Sequence, residues 1–188
     1  MKTSSFPYIF PVAIAILLVF TACSKLLEVD SETENRYNDL IQEKAYKYNI
    51  EPELLKAVIW KESRFQADQV GGKGEIGLMQ LLKPAITDWA KATHNDIPSD
   101  KDLFKPEVNI EIGAWYLGWC YNRFADYNSN SRDVLCLAIY NAGLGRVRDK
   151  WLPESPQTEM KLEDITFPST RDYISKIITR KLYYKKNK

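Results

Sequence analysis

From about residue 36 onward, apolar side chains recur at the spacing of α-helices, and no segment sustains the alternation of a β-strand. Pro52, Pro84 and Pro106 stand at the starts of three such segments, where the missing N–H of proline costs a helix nothing. Gly143 ends a fourth. Because 188 residues suffice for one domain with a sizeable core, the sequence predicts a mainly α, single globular domain over residues 36–188.

The N-terminus carries the pattern of a bacterial export signal. Lys2 gives a positive start, and the apolar run "VAIAILLVF" is too short to span a bilayer comfortably. The run ends in "FTAC", which resembles the lipobox of bacterial lipoproteins, where the cysteine is acylated and becomes the mature N-terminus. We therefore predict a lipoprotein signal peptide at residues 1–22, lipid attachment at Cys23 and a tether at residues 23–35. Ordinary secretion with cleavage near Ala22, or a retained anchor, is the alternative.

Lipid attachment would place the domain in the cell envelope. In a bacterium with two membranes, the resemblance to lipoproteins implies an anchor in the outer membrane, with the domain facing the periplasm. The exported protein would then meet an oxidising compartment, in which disulfides form. Cys120 and Cys136 flank a polar turn between two helical segments, so antiparallel helices could bring them together. Two separate buried thiols are the favoured interpretation, and a disulfide is the alternative.

Charge and residue types exclude several classes of function. Without Lys2, 25 basic residues face 25 acidic ones, which is not the basic footprint of a nucleic-acid-binding protein. His94 is the only histidine, and its polar surroundings fit neither a Ser-His-Asp triad nor a zinc site of usual spacing. No phosphate-binding loop motif occurs. We expect no cofactor, no metal and a monomeric protein, and the chemistry that remains is acid/base catalysis by a carboxyl group.

Glu62 is the carboxyl group that fits this chemistry. In a helix that begins at Pro52, the apolar residues of "PELLKAVIWKESRF" fall within an arc of roughly 140°, and Glu62 lies near its middle. A carboxylate on the buried face of a helix loses hydration, which raises its pKa and lets it hold a proton near neutral pH. The alternative is a buried structural acid that is neutralised by a Lys or Arg.

Four short motifs resemble the catalytic domain of the soluble lytic transglycosylases, the SLT family. They are "ESRF" at 62–65, "GLMQ" at 77–80, "NIEIGAWYL" at 109–117 and "YNAG" at 140–143, in the order of that family. Each motif alone is weak evidence, but four in order at compatible spacing are specific. The resemblance covers about residues 48–180 and implies a lysozyme-like α fold related to goose-type lysozyme.

The resemblance also implies a role for individual residues. Glu62 matches the single catalytic acid of the family, and Met79 and Gln80 match residues of the substrate-binding cleft beside it. Tyr140 and Asn141 match the pair that faces the acid across the cleft. For Gln80 and Tyr140, ordinary packing and helix capping are the alternative roles.

The family cleaves the β-1,4 bond between N-acetylmuramic acid and N-acetylglucosamine in peptidoglycan glycan strands, and it closes muramic acid O6 onto C1. Residues 36–188 would then form an SLT-like catalytic domain whose single carboxyl acts first as acid and then as base. A hydrolytic muramidase of the same fold and a non-catalytic peptidoglycan-binding lipoprotein are the alternatives.

Two positions depart from the family pattern. Gly71 stands where many members have a serine, and Ser169 stands where a glutamate is frequent. Both departures put the positioning of a substrate in doubt. Glu75, in the same loop as Gly71, is a candidate second carboxylate that would favour hydrolysis over cyclisation, but a solvated loop position is the favoured interpretation.

Overall fold

A computed structural model describes residues 31–187 of the chain. The chain divides into two units, Met1–Arg36 and Tyr37–Lys188. In the described part of the first unit, Ser31–Asn35 forms the short helix α1 at the end of the predicted tether. The predicted signal peptide and Cys23 lie outside the described residues.

The second unit is built from helices, and between residues 37 and 187 the only β-structure is a pair of isolated bridges in the loop around Ile76. The prediction of a mainly α fold is therefore confirmed. The helices are α2 (Asn38–Lys47), α3 (Pro52–Ser63), α4 (Lys83–Thr93), α5 (Asp100–Leu103), α6 (Pro106–Arg123), α7 (Ser129–Ala142), α8 (Leu144–Lys150), a 3-10 helix (Leu162–Asp164) and α9 (Pro168–Lys186).

Three helix starts lie at or beside the prolines that predicted them. Helices α3 and α6 begin at Pro52 and Pro106, and α4 begins one residue before Pro84. Helix α7 ends before Gly143, whose φ of 86° is readily adopted by glycine. The chain turns there and starts α8 at once, so α7 and α8 pack against each other.

Helix α3 lies in the middle of the second unit, packed against α2 and α9. Its apolar arc is fully buried, with Leu54, Leu55, Val58 and Ile59 each 0% exposed. Burial of each such side chain contributes roughly 1.5–3 kcal/mol to folding. The helix that carries Glu62 is therefore a rigid base for a site.

Helix α6 crosses the unit against α2, α4 and α7. A Cβ at Gly113 would overlap the side chain of Met79, whose Cε lies 2.7 Å from that point. Glycine at this position lets the loop before α4 pack directly on the helix backbone. The position of that loop beside α3 depends on this close approach.

Cys120 on α6 and Cys136 on α7 are both buried, free thiols. The two thiols are close enough to interact, and burial raises the pKa of the Cys136 thiol. The prediction of buried thiols agrees with this arrangement, but the thiols are neighbours rather than separate.

Helix α9 is held to α7 by a buried ion pair. The Lys181 ammonium lies 2.7 Å from Asp133 Oδ2 and 3.1 Å from Glu51 Oε1. Tyr121 donates a hydrogen bond to the other oxygen of Asp133. These contacts fix α9 where it packs along α3. Within residues 31–187, no helix combines the length and apolar character needed to cross a bilayer.

Candidate active site

Glu62 lies in the last turn of α3, where the chain reverses sharply. Arg64 and Phe65 both have positive φ, 54° and 63°, so the helix ends immediately after Ser63. Phe65 folds back into the core, 2% exposed, while Glu62 remains partly exposed. The turn therefore leaves a carboxyl group at the boundary between the core and the surface.

Tyr173 of α9 is the direct partner of this carboxyl group. Its hydroxyl donates a hydrogen bond of 2.5 Å to Glu62 Oε1. Tyr173 was not predicted as a site residue from the sequence. The only available signal was its place on the apolar face of α9, next to Ile174, which gives no hint of a contact with Glu62.

Burial raises the pKa of Glu62 to about 7. The Tyr173 hydrogen bond and the positive charge of Lys61 lower this pKa, whereas the negative charge of Glu75 raises it further. Burial is the largest of these effects, as the helical pattern of α3 predicted. At neutral pH the group is thus present in both its protonated and its ionised form.

Two tyrosines, the half-buried Tyr140 and the buried Tyr173, flank Glu62 as neutral donors. The hydroxyl of Tyr140, on α7, donates to the backbone oxygen of Met79 at 2.8 Å. Burial, together with the negative charge of Glu62, raises the pKa values of Tyr140 and Tyr173 well above the ordinary value. Neither phenol therefore competes with Glu62 for ionisation.

The segment 77–80 forms the wall beside these groups, and its backbone is held by buried polar side chains. Ser63 Oγ donates to Leu78 O at 2.8 Å, and Met79 N donates to Asn109 Oδ1 at 2.8 Å. Asn109 was quoted in the motif "NIEIGAWYL" but was not predicted as a site residue. Its buried amide is the link between α6 and this wall.

Gln80 turns its side chain back into the loop. Its backbone has a φ of 47°, and its Nε2 donates to the carbonyl oxygens of Gly77 (2.9 Å) and Gln69 (3.2 Å). The amide nitrogen is therefore used within the loop, and the Oε1 atom is the part of the side chain left to face other groups.

The other two predicted cleft residues, Met79 and Asn141, differ from each other in exposure. The Met79 side chain is 0% exposed under Gly113, so only its backbone lies beside Tyr140. Asn141 is exposed, and its Oδ1 accepts a hydrogen bond of 2.9 Å from Thr170 Oγ1. This contact joins α7 to the first turn of α9.

Glu75 occupies the space that a side chain at position 71 would need. A Cβ added at Gly71 would overlap Glu75 Oε2 and would lie 2.7 Å from Gln80 Oε1. Glu75 Oε2 also accepts a hydrogen bond of 2.8 Å from the backbone N of Lys73. Glu75 can therefore take this position only because residue 71 has no side chain. Glu75 is also close enough to Glu62 to influence its pKa.

Replacing Tyr173 with Phe is expected to raise the pKa of Glu62, because the ionised carboxylate loses its donor. A hydrogen bond to a charged group contributes about 1.5 kcal/mol, which corresponds to about one pKa unit. A ¹³C NMR titration of the carboxyl groups would measure the shift, with Glu62→Gln identifying the signal. Tyr183→Phe, on the exposed side of the same helix, should leave the signal unchanged. An unchanged or lowered pKa in Tyr173→Phe would contradict this assignment.

A cavity of about 340 Å³ adjoins the site and shares Gln80, Tyr140 and Asn141 with it. Tyr116 contributes an aromatic wall, with its ring edge-on to Tyr140 at a centroid distance of 5.8 Å. Between residues 31 and 187, no group of three or more His, Cys, Asp or Glu side chains is placed to bind a metal ion.

The model of the transglycosylase SLT domain family matches residues 39–162. The soluble lytic murein transglycosylase of Salmonella typhimurium is 32% identical over 153 residues, which are 79% of this chain and 23% of that protein. The membrane-bound lytic murein transglycosylase C of Yersinia enterocolitica is 33% identical over 117 residues, 60% of this chain and 33% of that protein.

Among solved structures, an inactive mutant of the lytic transglycosylase Slt from Pseudomonas aeruginosa superposes with a TM-score of 0.71 and 28% identity. The match covers 81% of this chain and 24% of that one. This chain thus spans about a quarter of the length of its soluble relatives. The predicted lysozyme-like fold of the lytic transglycosylases is confirmed, and the chain belongs to the transglycosylase SLT domain family.

Proposed function

We propose that this protein is a peptidoglycan lytic transglycosylase in which Glu62 is the catalytic acid and base. The observation that carries the proposal is the partly buried carboxyl group of Glu62, whose pKa is raised to about 7. A general acid works best when its pKa lies near the operating pH. The family membership of the chain supports peptidoglycan as the substrate.

In the proposed reaction, protonated Glu62 donates its proton to the glycosidic oxygen between N-acetylmuramic acid and N-acetylglucosamine, and the bond from that oxygen to C1 breaks. The acetamido oxygen of the substrate stabilises C1, which departs from the usual scheme of two carboxylates. Ionised Glu62 then takes the proton of the muramic acid O6 hydroxyl, and O6 bonds to C1. The products are a 1,6-anhydromuramoyl end and an N-acetylglucosamine end whose 4-hydroxyl carries the donated proton, and Glu62 is protonated again for the next turnover.

The neighbours of Glu62 support both halves of this cycle. Tyr173 donates to the ionised form, so the carboxylate is stabilised after it has released its proton. The Tyr140 hydroxyl donates a hydrogen bond to the Met79 carbonyl oxygen, which stabilises the segment 77–80 without adding a charge to the site. We assign Met79, Gln80, Tyr140 and Asn141 to substrate binding, with Met79 acting through its backbone.

Hydrolysis by the same site is the second candidate, and Glu75 favours it. This carboxylate lies in the loop beside Gln80 and adds to the negative charge felt by Glu62. A second carboxylate near the reacting carbon can activate water, as in inverting glycosidases. The cyclising reaction and the hydrolytic one therefore differ only in the nucleophile that reaches C1.

A digest of purified peptidoglycan, read by mass spectrometry, distinguishes these reactions. Muropeptides one water lighter than the reducing forms would establish the lytic transglycosylase, whereas reducing ends would establish a muramidase. Release of neither product by a folded protein that still binds the wall would leave the peptidoglycan-binding lipoprotein as the remaining function.

For the N-terminus, we propose acylation at Cys23 and a monomer anchored to the cell envelope. Replacing Cys23 with Ala is expected to abolish incorporation of labelled fatty acid and to move the protein from the membrane fraction to the soluble fraction. Labelling of bacteria that express each form would measure this. Cys120→Ala is the matched control, because that thiol is buried in the fold. Equal labelling of Cys23→Ala and the parent would contradict the assignment.

A further inference from the structure

Helices α3 and α9 together form a surface on which cations lie over aromatic rings. The Arg64 guanidinium lies 3.6 Å from the centroid of the Trp60 ring, just after the end of α3. From α9, the Arg180 guanidinium lies over the same Trp60 ring at 4.8 Å and over the Tyr183 ring at 4.6 Å. Cations and rings therefore alternate across the junction of the two helices, and each contact holds its partners in place.

Two lysines extend this surface. Lys56 lies one turn before Trp60 on α3, and its ammonium lies 4.8 Å from the centroid of the Tyr184 ring. Lys186 follows Tyr183 by one turn on α9 and is exposed. We call this surface the aromatic–basic patch, and it consists of Lys56, Trp60, Arg64, Arg180, Tyr183 and Lys186.

The patch is positively charged and also presents apolar groups to solvent. Glu51, at the N-terminal end of α3, is ion-paired with Lys181 and Lys185 of α9, so its charge is compensated outside the patch. Tyr183 is 48% exposed, and the adjacent Leu182 is 60% exposed. A partner that fits this surface should therefore carry negative charge and also accept apolar side chains.

The surface of a bilayer that contains anionic phospholipids meets both requirements. Tryptophan and tyrosine are enriched at the headgroup level of membranes, where one end of the ring is apolar and the other is wet. Lysine and arginine near an anionic leaflet strengthen binding, and their long stems can lie along apolar groups while their charges reach the headgroups. A soluble anion would engage the cations but would leave Tyr183 and Leu182 in water.

The proposed lipid at Cys23 would bring such a bilayer within reach. The predicted tether, residues 23–35, spans at most about 45 Å even when fully extended. This length keeps the start of the second unit close to the bilayer, so a weak contact is favoured by a high effective concentration. The patch also shares no residue with the cavity beside Tyr140, so a bilayer bound there does not occupy that cavity.

We propose that the aromatic–basic patch binds the anionic phospholipid surface of a membrane and so orients the domain there. This inference goes beyond the proposed reaction, and it holds whether or not the protein cleaves peptidoglycan.

Partition onto lipid vesicles tests the inference. The full chain carries Cys23→Ala, so that no attached lipid contributes, and it is mixed with vesicles of phosphatidylcholine or with vesicles in which about a third of the lipid is phosphatidylglycerol. The apolar N-terminal segment contributes to both partition constants, so their ratio reports the preference for negative charge. We expect a ratio of at least about 25, because each of two contacting cations contributes roughly five-fold. Added salt should lower the ratio.

Charge variants assign this preference to the patch. Arg64→Gln combined with Lys186→Gln should lower the ratio by roughly 25-fold. Lys91→Gln combined with Lys101→Gln is the matched control, because these residues are exposed cations on α4 and α5, outside the patch. The control should leave the ratio unchanged.

Tryptophan quenching tests whether the rings of the patch contact the bilayer. Lipids that carry bromine on their acyl chains quench the fluorescence of a nearby tryptophan, and Trp60 is one of five tryptophans in the chain. Brominated anionic vesicles should quench the parent, and Trp60→Phe should lose most of that quenching. Trp119→Phe, which replaces a half-exposed ring on α6, should retain it.

A ratio near one, or equal losses in the patch variant and its control, would overturn the inference. Quenching that persists in Trp60→Phe would overturn it as well, since another surface would then face the lipid. A ratio that depends on the patch without any quenching of Trp60 would also overturn it and would indicate an anionic polymer as the partner. These results do not bear on the proposed reaction, which the digest of peptidoglycan tests separately.

Discussion

Glu62→Gln lowers the rate of muropeptide release by a factor of roughly 10² to 10⁴, the range for loss of general acid–base catalysis. Glutamine has nearly the same shape and can still accept the hydrogen bond of Tyr173, but it can neither donate a proton to the glycosidic oxygen nor take one from O6. Chromatography of the released products over time measures the rate. Glu107→Gln, which replaces an exposed carboxylate on α6, should leave it unchanged.

The same substitution should increase stability at alkaline pH, which separates loss of catalysis from loss of folding. The pKa of Glu62 is about 7 in the folded protein and 4.5 in its ordinary environment. Between these values the folded state binds more protons than the unfolded state, so the free energy of unfolding falls as pH rises. About 3 kcal/mol is lost by pH 8, and below about pH 4.5 the group contributes nothing because it is protonated in both states.

Glutamine has no charged form to desolvate, so the variant is expected to melt above the parent protein at pH 8 and near it at pH 4. Thermal unfolding followed by circular dichroism at both pH values measures the difference. A variant that melts below the parent at pH 8 would show that ionised Glu62 is stabilised by its surroundings, and the assignment of a raised pKa would then fail. Such a gain in stability on removal of an active-site group is common in enzymes.

Asn109→Ala is expected to cause the largest loss of stability. Asn109 is 0% exposed, and its Nδ2 donates to Leu103 O at 2.7 Å and to Ile76 O at 2.9 Å, while its Oδ1 accepts from Met79 N. Alanine would leave Leu103 O and Met79 N without partners, at about 1–3 kcal/mol each, whereas Ile76 O would keep the hydrogen bond that it accepts from Leu81 N. Allowing for relaxation of the loop, we expect a loss of roughly 3–5 kcal/mol, which lowers the melting temperature by about 10 °C.

Two further variants test this role for Asn109. Asn122→Ala removes an exposed asparagine from the same helix and should change stability by less than about 0.5 kcal/mol. Asn109→Asp keeps the acceptor for Met79 N but loses both donors, so its melting temperature should fall as well. If Asn109→Ala melts within 2 °C of the parent, the loop does not depend on this amide.

The lengths and capping signals of the helices explain which of them could be predicted. The long helices α3 and α6 begin at prolines and have buried apolar faces, so local sequence predicted their starts. Helices α5 and α8 have 4 and 7 residues, and neither was predicted. An isolated helix this short is unstable in water, so its formation depends on packing against the rest of the fold.

The sequence by itself determined the class of fold and the placement of Glu62 on a buried helix face, because both follow from contacts within a few turns of one helix. Its four motifs also identified the family, because the identity, order and spacing of residues can be compared without a structure. Only the tertiary structure decided the partners of that carboxyl group. The hydroxyl of Tyr173 reaches Glu62 from α9, and the amide of Asn109 holds the loop that carries Gln80. Such contacts join residues far apart in the chain, and their geometry is fixed only when the helices pack together.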